Sequence, residues 1–161
     1  MCFGDLARCT TVGLAQRRNP PSDRWTGQVG HLLPVLQVGH RIAEPVPSLF
    51  TFNMPGNAIT KLMGVVVPRA IARVQGTKLS EEGPILITHW GMSGPGILKL
   101  SAWGARELAK RDYNFTAQIN WIGESNEDHA RTALEKAMPD IRKKKLGNVC
   151  PWDLPRNFWV Y

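Results

Sequence analysis

The chain has 161 residues, with 20 Lys+Arg against 13 Asp+Glu and a formal charge of +7. That length can bury one ordinary core, and it leaves no room for a dinucleotide-binding domain beside a separate substrate domain. At 43% apolar and 20% charged residues the chain is not broadly disordered, and the lack of any apolar run of about 18 residues excludes a membrane-spanning helix.

No sustained apolar stretch follows the first residues, so a secretory signal is not expected. Cys2, Cys9 and Cys150 form neither a C-x-x-C pair nor an even-numbered framework, and a reducing cytoplasm is the expected compartment.

Residues 1–37 show poor periodicity around Gln16-Arg17-Arg18-Asn19-Pro20-Pro21 and then Gly27 and Gly30, and read as loop or weakly ordered chain. Regular patterning begins at Val38. Arg41 to Met54, with Val46, Leu49, Phe50 and Phe52, reads as an edge or bulged strand because Pro45 and Pro47 interrupt it. Val65 to Gln75 is β-rich, Gly76 to Gly83 supplies a polar hairpin loop, and Pro84 to Trp90 reads as a strand buried on both sides. A helix follows, with Ser93 as N-cap, Pro95 in its first turn, an apolar face of Ile97, Leu98, Ser101, Ala105, Leu108 and Ala109, and an end at Arg111-Asp112.

Tyr113 to Ile122 alternates strictly, with Tyr113, Phe115, Ala117, Ile119 and Trp121 on one side. That is the period of a half-buried strand. Beyond Gly123, Ser125-Asn126-Glu127-Asp128 resembles a capping box, and Ala130, Ala133, Leu134 and Ala137 follow at helical spacing. Pro139 is expected to restart a short helix ending at Gly147, and a last helix starts near Asp153 and Pro155. Its aromatic residues Phe158, Trp159 and Tyr161 are expected to face a partner surface in sequence beyond this chain.

Thr88-His89-Trp90-Gly91-Met92-Ser93-Gly94-Pro95-Gly96 joins a strand to a helix start. Free amides and the helix dipole favour anions there, although the G-x-G-x-x-G and P-loop patterns are both absent. His89 is a candidate acid/base or polar contact, with no second residue at metal-ligand spacing, so no metal is expected. Two further readings come from different classes. A small hydrolase-like enzyme could use His89 and Ser93, although Ser93 lacks a G-x-S-x-G context. A basic nucleic-acid-binding barrel could use Arg142-Lys143-Lys144-Lys145. That run also suits a solvated helix end, and the other cations alternate with acids, so nucleic acid is a minor alternative.

Gly39-His40-Arg41-Ile42 with Pro45-Val46-Pro47-Ser48-Leu49, followed by Gly83-Pro84-Ile85-Leu86-Ile87-Thr88-His89-Trp90-Gly91-Met92-Ser93-Gly94-Pro95-Gly96 and on to Ser101, closely resembles two signature stretches of one flavoprotein family. Its members are the bile-acid-reductase-like or aminoacetone-oxidase-like NAD(P)/FAD-dependent oxidoreductases. The resemblance spans about residues 38 to 161, with Val38 where the family usually has leucine.

It implies an insert domain: an α+β unit with an antiparallel β-barrel-like sheet and one packed helix over 38–123, then an incomplete helical subdomain over 124–161. The Rossmann-type FAD-binding domain of such enzymes is built from other parts of the chain and would be the partner of this insert. FAD is therefore expected in the intact protein and not on this chain alone, which is expected to be inactive by itself. Thr88, His89, Gly91, Ser93 and Gly94 are the candidate turn facing flavin and a small-molecule substrate, and no catalytic residue is carried over.

Residues 1–37 depart from the family, which places an alanine-threonine-glycine-glycine turn there. One codon choice for Ser22-Asp23-Arg24-Trp25-Thr26, read one nucleotide later, encodes that turn. An out-of-frame origin for part of this segment is a hypothesis that the coding DNA tests; codons unable to yield the turn in the shifted frame would refute it.

Overall fold

The computed structural model describes residues 10–17, 46–123, 127–141 and 148–161. Its strands are β1 (Thr10–Arg17), β2 (Phe52–Asn53), β3 (Val66–Val74), β4 (Ser80–Thr88), β5 (Gly91–Ser93) and β6 (Asn114–Asn120). Its helices are α1 (Pro95–Trp103), α2 (Ala105–Ala109), α3 (Glu127–Ile141) and α4 (Arg156–Val160), with a 3-10 turn over Ala58–Leu62. The strands close into a barrel in the order β1-β2-β5-β4-β3-β6, every neighbour antiparallel. The chain is thus α+β, a barrel followed by a helical part.

Alternation along β6 drives the core. Phe115, Ala117 and Ile119 are buried, while Thr116, Gln118 and Asn120 are half-buried. Val67, Ala70, Ala72 and Val74 of β3, Ile85 and Ile87 of β4, Met92 of β5 and Phe52 of β2 meet them in one apolar cluster. Each of the Val, Ile, Met and Phe side chains contributes roughly 1.5–3 kcal/mol through burial, and each alanine less. Phe52 and Phe115 pack edge to face at 5.0 Å, and Phe50 and Tyr113 at 5.4 Å.

Two irregularities curl the sheet. Gly64 N–H donates to Ile87 O, and Ile87 N–H donates to Val65 O, so two residues oppose one, with Gly64 at φ 90°. That is a bulge with glycine at its left-handed position. A second register shift between Val67 and Ala70 holds Pro68, which has no ladder N–H to give.

Several expectations need correction. Thr10–Arg17 lies in the segment read as weakly ordered, yet it pairs with β6 at seven positions, Thr10↔Asn120 through Gln16↔Asn114. Thr, Val and Leu in that run can take a ladder that local periodicity does not reveal. Residues 1–9 and 18–45 lie outside the described residues. Of the strand expected over 41–54, residues 41–45 lie outside the described residues, and within 46–54 only Phe52–Asn53 is strand, since Leu49 takes φ 55° and the chain around Pro47 is irregular. The hairpin loop expected over 76–83 is shorter, since Ser80 to Gly83 already belong to β4.

The helix expected to run unbroken to Arg111 divides at Gly104. A Cβ there would meet Leu79 Cδ1 at 2.7 Å and Leu100 O at 2.9 Å. Its buried face is Gly96, Ile97, Leu100 and Ser101, then Ala105 and Leu108; Leu98 and Ala109 are only half-buried. Pro139 does not restart a helix but lies inside α3. Residues 124–126, with the expected capping box, and 142–147, with the basic run, lie outside the described residues.

Of the C-terminal aromatics expected to face a partner surface, Phe158 and Trp159 find ring partners within the described residues and Tyr161 does not. Phe158 packs on buried Trp121 at 4.8 Å, and Trp152 on Trp159 at 5.9 Å. Val160 and Tyr161 remain exposed.

One buried hydrogen bond ties the entering chain to α1. Phe50 N–H donates to Ser101 Oγ at 2.9 Å, and that hydroxyl donates to Leu98 O at 2.9 Å. Ser101→Ala leaves the buried Phe50 N–H without its acceptor and should cost about 1–3 kcal/mol in urea unfolding. An unchanged midpoint would show that the bond is not formed.

Candidate functional site

Thr88, His89, Gly91, Ser93 and Gly94 come together, but on a hairpin rather than at a strand-to-helix crossover. Thr88 opposes Gly91, Ile87 opposes Met92, and Leu86 opposes Ser93, so only His89 and Trp90 form the loop. Neither loop residue takes a left-handed φ, and the backbone adjustment falls on Gly91 at φ 152°. His89 is exposed at the tip, its ring edge-on to Trp90 at 4.3 Å. Trp90 O accepts from Met54 N–H at 2.7 Å and anchors the loop to the chain leaving β2. Thr88 is buried, and its Oγ1 has no hydrogen-bond partner among the described residues.

Ser93 is not the N-cap. It ends β5, and Gly94 occupies the cap with φ 101° and no side chain to accept a bond. The hydrolase-like pairing also fails on register. Ser93 stands two rungs below the Thr88–Gly91 pair, and His89 lies beyond that pair. At about 3.3 Å per residue this separates the two by more than a hydrogen bond can span.

The glycines are filled from within the molecule. A Cβ on Gly91 would meet Phe52 O at 2.3 Å and Met54 N at 2.9 Å, and one on Gly94 would meet Pro84 O at 2.7 Å. A Cβ on Gly96 would lie 3.2 Å from Gly83 O. A phosphate cradle needs glycines whose open side faces the ligand. Here that side faces β2 and β4, so the described residues do not fit the dinucleotide's pyrophosphate.

Among the described residues no group of three or more His, Cys, Asp or Glu could hold a metal. Cations and acids interleave on the surface, as in Arg69–Glu82 at 3.3 Å and Arg111–Glu107 at 3.4 Å. That disfavours a continuous basic face on the described barrel. No described helix is long and apolar enough to cross a membrane.

The model of the HI0933-like protein barrel and H2TH domain matches residues 46–161, which include β2 to β6 and all four helices. The chain belongs to the HI0933-like family. No match was found among curated proteins or among solved structures.

In this HI0933-like barrel the sequence pattern marks the hairpin but not its use of glycine. Gly83 and Ser101, the residues that let α1 approach β4 and hold the entering chain, have no chemical signature. The available signal is the repeat of Gly-Pro at 83–84 and Gly-Pro-Gly at 94–96, two backbones stripped of side chains that meet.

Gly91→Ala should lower unfolding free energy by more than about 3 kcal/mol, because rigid backbone must move. Gly56→Ala, also at positive φ but with nothing within 4 Å of the new carbon, should cost only about 1 kcal/mol. Equal losses in paired urea titrations would contradict the close approach at Gly91.

Proposed function

We propose that the chain is the insert domain of an FAD-dependent, NAD(P)-linked oxidoreductase of the bile-acid-reductase-like or aminoacetone-oxidase-like kind. Its FAD-binding domain would lie in sequence outside this chain. The family match over residues 46–161 carries this reading, the family being one of flavoprotein insert domains related to FAD-dependent oxidoreductases.

In this reading the barrel covers the flavin, and the 88–94 hairpin forms one wall of the pocket for a small-molecule substrate. The exposed imidazole of His89 beside the indole of Trp90 supports that role, since it offers a polar contact next to a flat apolar one. The buried hydroxyl of Thr88 could bond to a group brought by the partner domain. Flavin, when held by the other domain, supplies the redox chemistry. The residues here orient the substrate and exclude water. The chain alone is then inactive, and a cytoplasmic location is proposed from its cysteine usage.

Two measurements test this. Flanking DNA should encode a G-x-G-x-x-G motif and the remainder of a flavin-binding domain; flanks without them would refute the insert assignment. The purified chain should show no flavin absorption in the visible range, whereas a stoichiometric bound flavin would refute the claim that the cofactor is held elsewhere.

A further inference from the structure

β1 is attached to the barrel differently from the other strands. Two residues link β4 to β5 and five link β3 to β4, whereas 34 residues separate Arg17 from Phe52. The run β2-β5-β4-β3-β6 is continuous without β1, which only bridges its two ends. It does so unevenly, in register with β6 at seven positions and with β2 at two. The family match begins at residue 46 and therefore includes every strand except this one.

We propose that the gap between β2 and β6 is a strand-accepting slot and that Thr10–Arg17 is its separable occupant. The slot takes an extended polypeptide segment antiparallel to β6, supplied by the chain's own Thr10–Arg17. Strand addition of this kind draws its affinity from main-chain hydrogen bonds, so it depends on an extended backbone more than on side-chain fit. The strand Thr-Thr-Val-Gly-Leu-Ala-Gln-Arg suits this, with Thr and Val favouring extension.

Being part of the same chain, the strand is held at an effective concentration far above that of a free peptide. A free strand therefore competes poorly with the tethered one until the latter is disabled. The proposal does not depend on the oxidoreductase reading.

The test uses the full chain carrying Val12→Pro and Gly13→Pro. Adjacent prolines remove ladder N–H groups on both sides of β1. The substituted chain should keep its near-ultraviolet tryptophan circular dichroism. It should also bind a fluorescent peptide of residues 10–17 saturably, at least tenfold more tightly than the parent chain does. Two results would overturn the proposal. In one, the substituted chain loses the tryptophan signal, which makes β1 an inseparable part of the core. In the other, it stays folded and fails to bind the peptide.

Discussion

The fold depends on the close approach of bare backbones where β5 and the start of α1 meet β2 and β4. A Cβ on Gly91 would stand 2.3 Å from Phe52 O, and Gly83 and Gly96 face each other at a looser 3.1–3.2 Å. Hydrophobic burial supplies most of the stabilisation, but it is not directional. These contacts decide which surfaces can come together. With β5 seated against Phe52, the strand order β2-β5-β4 is fixed. With Gly96 against Gly83, α1 lies along β4 and presents Ser101 to Phe50 N–H.

The same contacts bear on function. Glycines that face inward cannot also wrap a pyrophosphate, so the signature turn works as a packing device that carries a short projecting loop. That loop is held at its base by the Thr88–Gly91 pair and at its tip by the Trp90 O–Met54 N–H bond. An exposed imidazole beside a half-buried indole suits a surface that closes over something bound elsewhere. This is consistent with the proposed role as cover and pocket wall, and with a polar group at Thr88 that the described residues leave without a bond.

Much of this was legible in the sequence where one period dominated. The alternation over Tyr113 to Ile122 identified β6, and the β-branched run at 65–75 identified β3, because a two-residue period fixes both element and face. The glycine-proline signature lies within the matched residues 46–161, and its resemblance gave the flavoprotein-related family type. Its geometry differs from the expected strand-to-helix turn because a strand, a turn and a helix start look the same in sequence whether or not a three-residue return strand intervenes. β1 escaped because its pairing is long-range; nothing local in Thr10–Arg17 says that β6 needs a neighbour. Phe158 looked unpartnered for a similar reason, since its partner, Trp121, lies more than thirty residues earlier.

Amide hydrogen exchange on the purified chain, with and without added FAD, tests the central claim most directly. The account predicts strong protection of the Met54, Ile87 and Leu98 amides, whose acceptors are Trp90 O, Val65 O and Gly94 O. It also predicts that FAD leaves their exchange unchanged. Rapid exchange at these amides, or protection that appears only with FAD, would show that the glycine-rich hairpin is organised by the cofactor rather than by the backbone of β2 and β4.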